Sequence, residues 1–325
     1  MIGKHRVIIE ADKVNYTFEV KRNITIIQGD SASGKTTLVD LIRTYGRYKE
    51  ESGISMVSDV PCVAFSGDGD NWKPVLDAYK DSIVFFDEDY SFIFSEDFAA
   101  KVKGSSNYFV LITRQPLKNL PYSINEIYGI RRTGKYHFPE KIYHEFYPIY
   151  PAQRQREDAN TLLLVEDEKA GYQFYKRSCN KTECISAKGN GNVKSILNDM
   201  PYDRPVVVIA DGAAFGAYIA GVIAVARTMK EVSLYFPESF EWIVLKSGIL
   251  NIKDLKDILE HPEDYIDSAK YFSWERFFTE LIESETADDK IKKYDKEKIN
   301  TFYLEGKNSQ LIKGVLPEEI RDLLQ

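Results

Sequence analysis

The chain has 325 residues, with 43 Lys and Arg against 50 Asp and Glu and a formal net charge of −7. That length suits about two domains, and 43% hydrophobic with 29% charged residues excludes whole-chain disorder. No run approaches the ~18 apolar residues of a membrane span, no apolar signal core follows Met1 to Arg6, and three cysteines without metal spacing fit a reducing cytosol.

In the first half, the apolar runs Arg6–Ile9, Ile24–Gln28, Ser82–Phe86 and Tyr108–Thr113 read as short buried strands, each bounded by Gly, Asp, Asn or Ser. Between the second and third lies Gly29-Asp30-Ser31-Ala32-Ser33-Gly34-Lys35-Thr36, which satisfies G-x-x-x-x-G-K-[ST]. Its flanks fit as well. A strand leads in, and Leu38, Leu41, Ile42 and Tyr45 predict an amphipathic helix leading out and ending before Gly46.

The chemistry follows from the residue types. Glycines let successive backbone N–H groups converge on phosphate oxygens, and a helix N-terminus adds partial positive charge. Gly29 to Thr37 are therefore the expected nucleotide-binding residues, with Lys35 on the β- and γ-phosphates and the Thr36 hydroxyl on Mg²⁺. Ile83–Phe86 ends in Asp87-Glu88, expected to hold Mg²⁺ (Asp87) and to polarise an attacking water (Glu88). Phe109–Ile112 ends in Thr113-Arg114, expected to sense the transferred phosphoryl and stabilise its charge.

Over residues 5–145 these elements resemble the ATP-binding-cassette-like P-loop ATPases, which implies ATP and Mg²⁺ as cofactors, hydrolysis by Glu88 and Arg114, and a second copy of the chain in a homodimer. Two features depart from that pattern. No serine-glycine-glycine signature precedes Asp87, Phe65-Ser66-Gly67-Asp68-Gly69 being the nearest, and only 52 positions separate Lys35 from Asp87. No Asn-Lys-x-Asp motif reads guanine, which favours ATP over GTP.

Pro148, Pro151 and the polar run Gln153–Asp158 place a seam near residues 147–160. Beyond it, Thr161–Val165, Glu183–Ala187, Pro205–Ala210 and Trp242–Leu245 read as strands alternating with helices. The expected fold is therefore α/β in two domains, residues 1–150 and 151–325, each a mainly parallel sheet flanked by helices, P-loop NTPase-like and then Rossmann-like with a helical C-terminal part. Split at residue 150, the halves carry 19 basic and 20 acidic residues (−1) and 24 and 30 (−6), so neither is a basic domain.

Two strands of the second half deliver acids at their C-terminal ends, Glu166-Asp167-Glu168 and Asp211, where they could converge on one divalent cation. Glu166, then Gly189 or Gly191, then Asp211 resemble a TOPRIM domain over residues 160–250, and a TOPRIM domain behind an ATPase resembles the OLD-family nucleases. The resemblance implies Glu166 as a catalytic residue, Glu166 and Asp211 as metal ligands, and nucleic-acid processing or defence against foreign DNA. The usual Asp-x-Asp here reads Asp211-Gly212-Ala213, and Asp167 stands where Gly is usual, so a degenerate domain that controls a partner protein is the alternative. Glu238 and Glu241 could supply replacement acids ahead of the Trp242 strand, and Asp167 with Asp211 also resembles a response-regulator receiver.

Downstream, Trp274, Phe277, Phe278, Leu281 and Ile282 predict a helix with a core-facing stripe. Glu283–Lys298 mixes both signs densely and reads as an exposed helix or loop. The four histidines are scattered, so no zinc site is expected. Expected partners are ATP, DNA or a partner protein, and no membrane; the expected location is cytoplasmic.

Overall fold

A computed structural model describes residues 1–29, 34–67, 71–133, 141–150, 161–201 and 203–324. The chain is α/β and divides into two compact units: residues 1–151 with 261–273, and residues 152–260 with 274–325. Among the described residues no helix is long and apolar enough to cross a membrane.

The first unit holds a nine-stranded sheet: β1 (His5–Glu10), β2 (Val14–Val20), β3 (Ile24–Ile27), β4 (Ser55–Val57), β5 (Cys62–Ala64), β6 (Ile83–Phe86), β7 (Tyr108–Ile112), β8 (Ile127–Arg132) and β9 (Ile142–Pro148). Their order is β4-β1-β2-β9-β8-β3-β7-β6-β5. The stretch β8-β3-β7-β6-β5 is parallel throughout, while β4-β1-β2 and β8-β9 pair antiparallel. The sheet is thus mixed rather than mainly parallel. Short hairpin-like connections need no crossover helix, and β1 and β2 carry the alternating burial of strands with one wetter face.

Helix α1 (Lys35–Tyr48) packs Leu38, Val39 and Ile42 against Ile27, Phe85, Val110 and Ile112 of the parallel stretch. The opposite face of the same strands presents Phe86 and Phe109, because side chains alternate along a strand. These meet Phe65, Phe92 and Phe98 of α3 (Glu96–Val102), and Trp72 of α2 (Trp72–Ala78) packs behind them, stacked on Phe92 at 4.7 Å between ring centres. Strands β3, β6 and β7 are consequently buried on both faces, which is why they read as unbroken apolar runs. Helix α1 continues through Gly46 to Tyr48, past its expected stop.

The second unit holds β10 (Leu162–Val165), β11 (Glu183–Ser186), β12 (Val206–Ile209) and β13 (Val232–Tyr235) in the order β11-β10-β12-β13, all parallel. Helices α4 (Ala170–Ser178), α5 (Val193–Asp199), α6 (Gly216–Ala226) and α7 (Phe240–Lys246) alternate with and follow the strands. Five more complete the unit: α8 (Leu255–Glu260), α9 (Trp274–Thr286), α10 (Thr301–Leu304), α11 (Gly306–Val315) and α12 (Glu318–Leu323).

One expected strand is overturned. Trp242–Leu245 lies inside α7, and the fourth strand is β13, further upstream. Four apolar residues in a row carry no periodicity of their own. The Ser239 hydroxyl decides the matter by accepting from the Trp242 N–H, which caps a helix there. Glu241 therefore belongs to the first turn of α7 and does not precede a strand. The seam residues 151–160 lie outside the described residues.

Candidate functional site

In the first unit the expected site residues sit at the carboxyl ends of three neighbouring parallel strands. Register places Ile27 of β3 beside Ile112 of β7, and Leu111 beside Phe86 of β6. The residues that follow, Gly29, Thr113 and Asp87, therefore emerge along one edge, with the first and last strands two spacings or about 10 Å apart. Of the expected phosphate loop, Asp30, Ser31, Ala32 and Ser33 lie outside the described residues.

Gly29 and Gly34 have φ of 132° and 92°, backbone that L side chains rarely adopt. Gly34 has a second reason to be glycine: a Cβ there would lie 2.7 Å from the Tyr16 hydroxyl. Lys35 opens α1 and is buried, its Nζ donating to the Gly29 carbonyl at 2.8 Å. Thr36 and Thr37 follow it, both exposed. Asp87 is buried, and its Oδ1 accepts from the Glu88 N–H at 2.8 Å. Glu88 and Arg114 form an exposed ion pair at 3.2 Å. Thr113 is buried and closes a turn with Gln115, accepting from its N–H at 3.1 Å.

Two residues of this site escaped the sequence reading. Tyr16 of β2 donates its hydroxyl to the Gly34 carbonyl at 2.8 Å and stacks on His144 of β9 at 4.6 Å. Burial pushes the Tyr16 phenol up to about 12, against a hydrogen bond from the Thr37 side chain. Burial, then the charge of Arg132, lowers the His144 imidazole, so it is the neutral ring that supports Tyr16. Only strand pairing across the sheet brings Tyr16 and His144 together, so no local motif announces them.

In the second unit Glu166, Asp167 and Asp211 line one small pocket with Gly171, Tyr175 and Phe240. Backbone bonds set the acids: the Glu166 N–H donates to the Ile209 carbonyl at 2.9 Å, and the Gly189 N–H to the Glu166 carbonyl at 2.7 Å. The Asp167 carboxylate accepts from the Tyr172 N–H of α4, and Asp211 from the Phe240 N–H at the start of α7. Both thus hold a helix N-terminus. Gly212 is forced by close approach, since a Cβ would lie 2.8 Å from the Pro237 carbonyl.

Burial, and after it Asp167 and Glu275, push the Glu166 carboxyl up to about 8. Burial first, with Glu275 next, raises Asp211 well above the usual carboxylate range, and burial raises Asp167. Beside them Glu241 is buried, its Oε1 accepting from the Tyr294 hydroxyl at 2.9 Å. Lys296 reaches the same group: its Nζ lies 2.5 Å from Glu275 and 3.6 Å from Glu241. Burial works to strip its proton, but Glu241, Glu275 and Asp211 outweigh burial and hold the ammonium charged. Among the described residues no three of His, Cys, Asp and Glu are grouped to hold a metal ion.

Glu275, Tyr294 and Lys296 were hidden by their setting, the last two inside the charge-dense stretch that read as exposed. Tyr294 and Ile299, apolar in an otherwise charged run and both buried, were the available signal. Compared with protein families, with curated proteins and with solved structures, the chain matches none.

Proposed function

We propose that the first unit is a P-loop ATP-binding module with Mg²⁺-dependent hydrolysis, and that its nucleotide state switches a TOPRIM-like second unit in nucleic-acid processing or defence against foreign DNA. The observation that carries this reading is Lys35, buried at the first position of α1 directly after positive-φ Gly34 and on the same sheet edge as Asp87 and Thr113. A helix start offers unpaired N–H groups and partial positive charge, and an ammonium that bonds a neutral carbonyl gains a stronger, charge-assisted bond from a phosphate oxygen. The donor set fits a nucleoside triphosphate: Lys35 and the N–H groups at the start of α1 for phosphate, Thr36 and Asp87 for Mg²⁺. Bound Mg²⁺ would supply neutralisation of phosphate charge. Glu88 would orient a water, and Arg114, released from Glu88, would face the developing charge.

Lys35→Ala tests the reading by ATP titration in Mg²⁺. We expect affinity to fall at least tenfold, the order of one charge-assisted hydrogen bond, with the far-ultraviolet circular dichroism unchanged. Equal affinity in the two proteins would overturn it.

For the second unit, the switch reading is supported by Asp167 and Asp211 holding helix starts and by Lys296 among the acids. A second reading, an ATP-regulated nuclease, is favoured by Glu166, a strand-end carboxyl pushed up to about 8, as suits a general acid near neutrality. Plasmid cleavage in Mn²⁺ that is lost in Glu166→Ala would select the nuclease.

A further inference from the structure

In open parallel sheets, ligands gather outside the carboxyl ends of the strands. In the second unit the protein itself reaches that place. Residues 294–300 form a strap tied to the start of α4, directly after the acids that end β10. The Lys296 carbonyl accepts from the Ala170 N–H at 2.9 Å. The Gln173 amide donates to the Glu297 carbonyl at 2.7 Å and accepts from the Ile299 N–H at 3.1 Å. Lys169 pairs with Glu297 at 2.6 Å, and Tyr294 anchors the strap by its hydroxyl on buried Glu241. Held at both sides, the strap sends the Lys296 side chain inward to Glu275, Glu241 and Thr279.

We propose that Lys296 is the resident cation of the second unit: its ammonium stands in the role of a divalent metal ion, and the strand-end acids bind none. Two observations carry this, and neither depends on nucleotide binding by the first unit. Asp167 and Asp211 each already commit an oxygen to a helix start. The fixed ammonium lies at ion-pair distance from two further carboxylates, Glu241 and Glu275, so a cation arriving there meets its repulsion.

A fixed ammonium neutralises and orients carboxylates but cannot exchange ligands or activate a bound water as a metal ion does. The second unit is accordingly a scaffold whose acids hold loops and helix starts together.

The test is a Mn²⁺ titration of the nucleotide-free full chain, read by electron paramagnetic resonance, with melting temperature measured alongside. Asp211→Asn is the comparison, because Asn keeps the oxygen that accepts from Phe240. We expect the two proteins to titrate alike, with melting temperatures unmoved by millimolar Mn²⁺ or by a chelator. Lys296→Gln should gain one Mn²⁺ per chain, lost again in Lys296→Gln/Asp211→Asn. Saturable Mn²⁺ binding to the unaltered chain that disappears in Asp211→Asn overturns the proposal, as does a folded Lys296→Gln that gains none. Should Lys296→Gln fail to fold, the first comparison alone decides. Nucleotide is absent throughout, so neither result bears on Lys35.

Discussion

Each unit brings a lysine to the carboxyl edge of a parallel sheet, one at the head of a helix and one among carboxylates. Lys35 donates to a backbone carbonyl at the head of a helix. Lys296 lies among carboxylates, at 2.5 Å from Glu275 and 3.6 Å from Glu241. A lysine at a helix start, where N–H groups and partial positive charge gather, favours an anion; a lysine already among carboxylates does not. On the proposals above, the same residue type thus marks a binding edge in one unit and a closed edge in the other. Strand-end acids divide similarly. Asp87 is buried at the end of β6, whereas Asp167 and Asp211 hold helix starts.

The comparison breaks most visibly at Lys296. Lys296→Met leaves buried Glu241 and its neighbours without their cation and should destabilise the second unit by about 3 kcal/mol, the scale of a broken buried pair. Urea unfolding reads this, and a change under about 1 kcal/mol would place Lys296 with ordinary surface pairs. At the other edge, Gly34→Ala meets both the positive φ and the Tyr16 hydroxyl. It should cost about 1–3 kcal/mol and weaken ATP binding, and adding Tyr16→Phe should recover only part, because the clash is eased and the φ is not.

The Glu166 carboxyl sharpens the contrast through pH. Its folded value of about 8 stands above its usual 4.5, so the folded state holds that proton more tightly than the unfolded chain. The contribution is fully present below 4.5 and is lost as pH rises through about 8. Stability of the second unit should therefore fall across that window, and Glu166→Gln should flatten the profile in denaturant titrations. The smallest effect belongs to Glu88 and Arg114. Their pair is exposed, so Arg114→Ala should change stability by less than about 1 kcal/mol while lowering ATP hydrolysis. A stability loss without a rate loss would assign the pair to structure.

Much of the candidate edge of the first unit was legible because its signal is local. Strands β3, β6 and β7 are continuous apolar runs, and Gly34-Lys35-Thr36 opens a helix whose period is plain. The order that sets β7 between β3 and β6 is not local, nor is the pairing that brings Tyr16 and His144 to Gly34. The mixed half of the first sheet escaped because β2, β8 and β9 interleave Tyr, Thr, Glu and Arg with apolar residues. In the second unit the acids were legible and their partner was not. Lys296 is one lysine among many in residues 283–298, and only the strap's bonds to Ala170 and Gln173 distinguish it.

The central claim is that one edge takes a ligand and the other does not. Calorimetric titration of Mg²⁺ and ATP into the full chain tests it most directly. The account predicts one nucleotide per chain, lost in Lys35→Ala and retained in Asp211→Asn. Binding that survives Lys35→Ala, or that vanishes in Asp211→Asn while the fold persists, would contradict it.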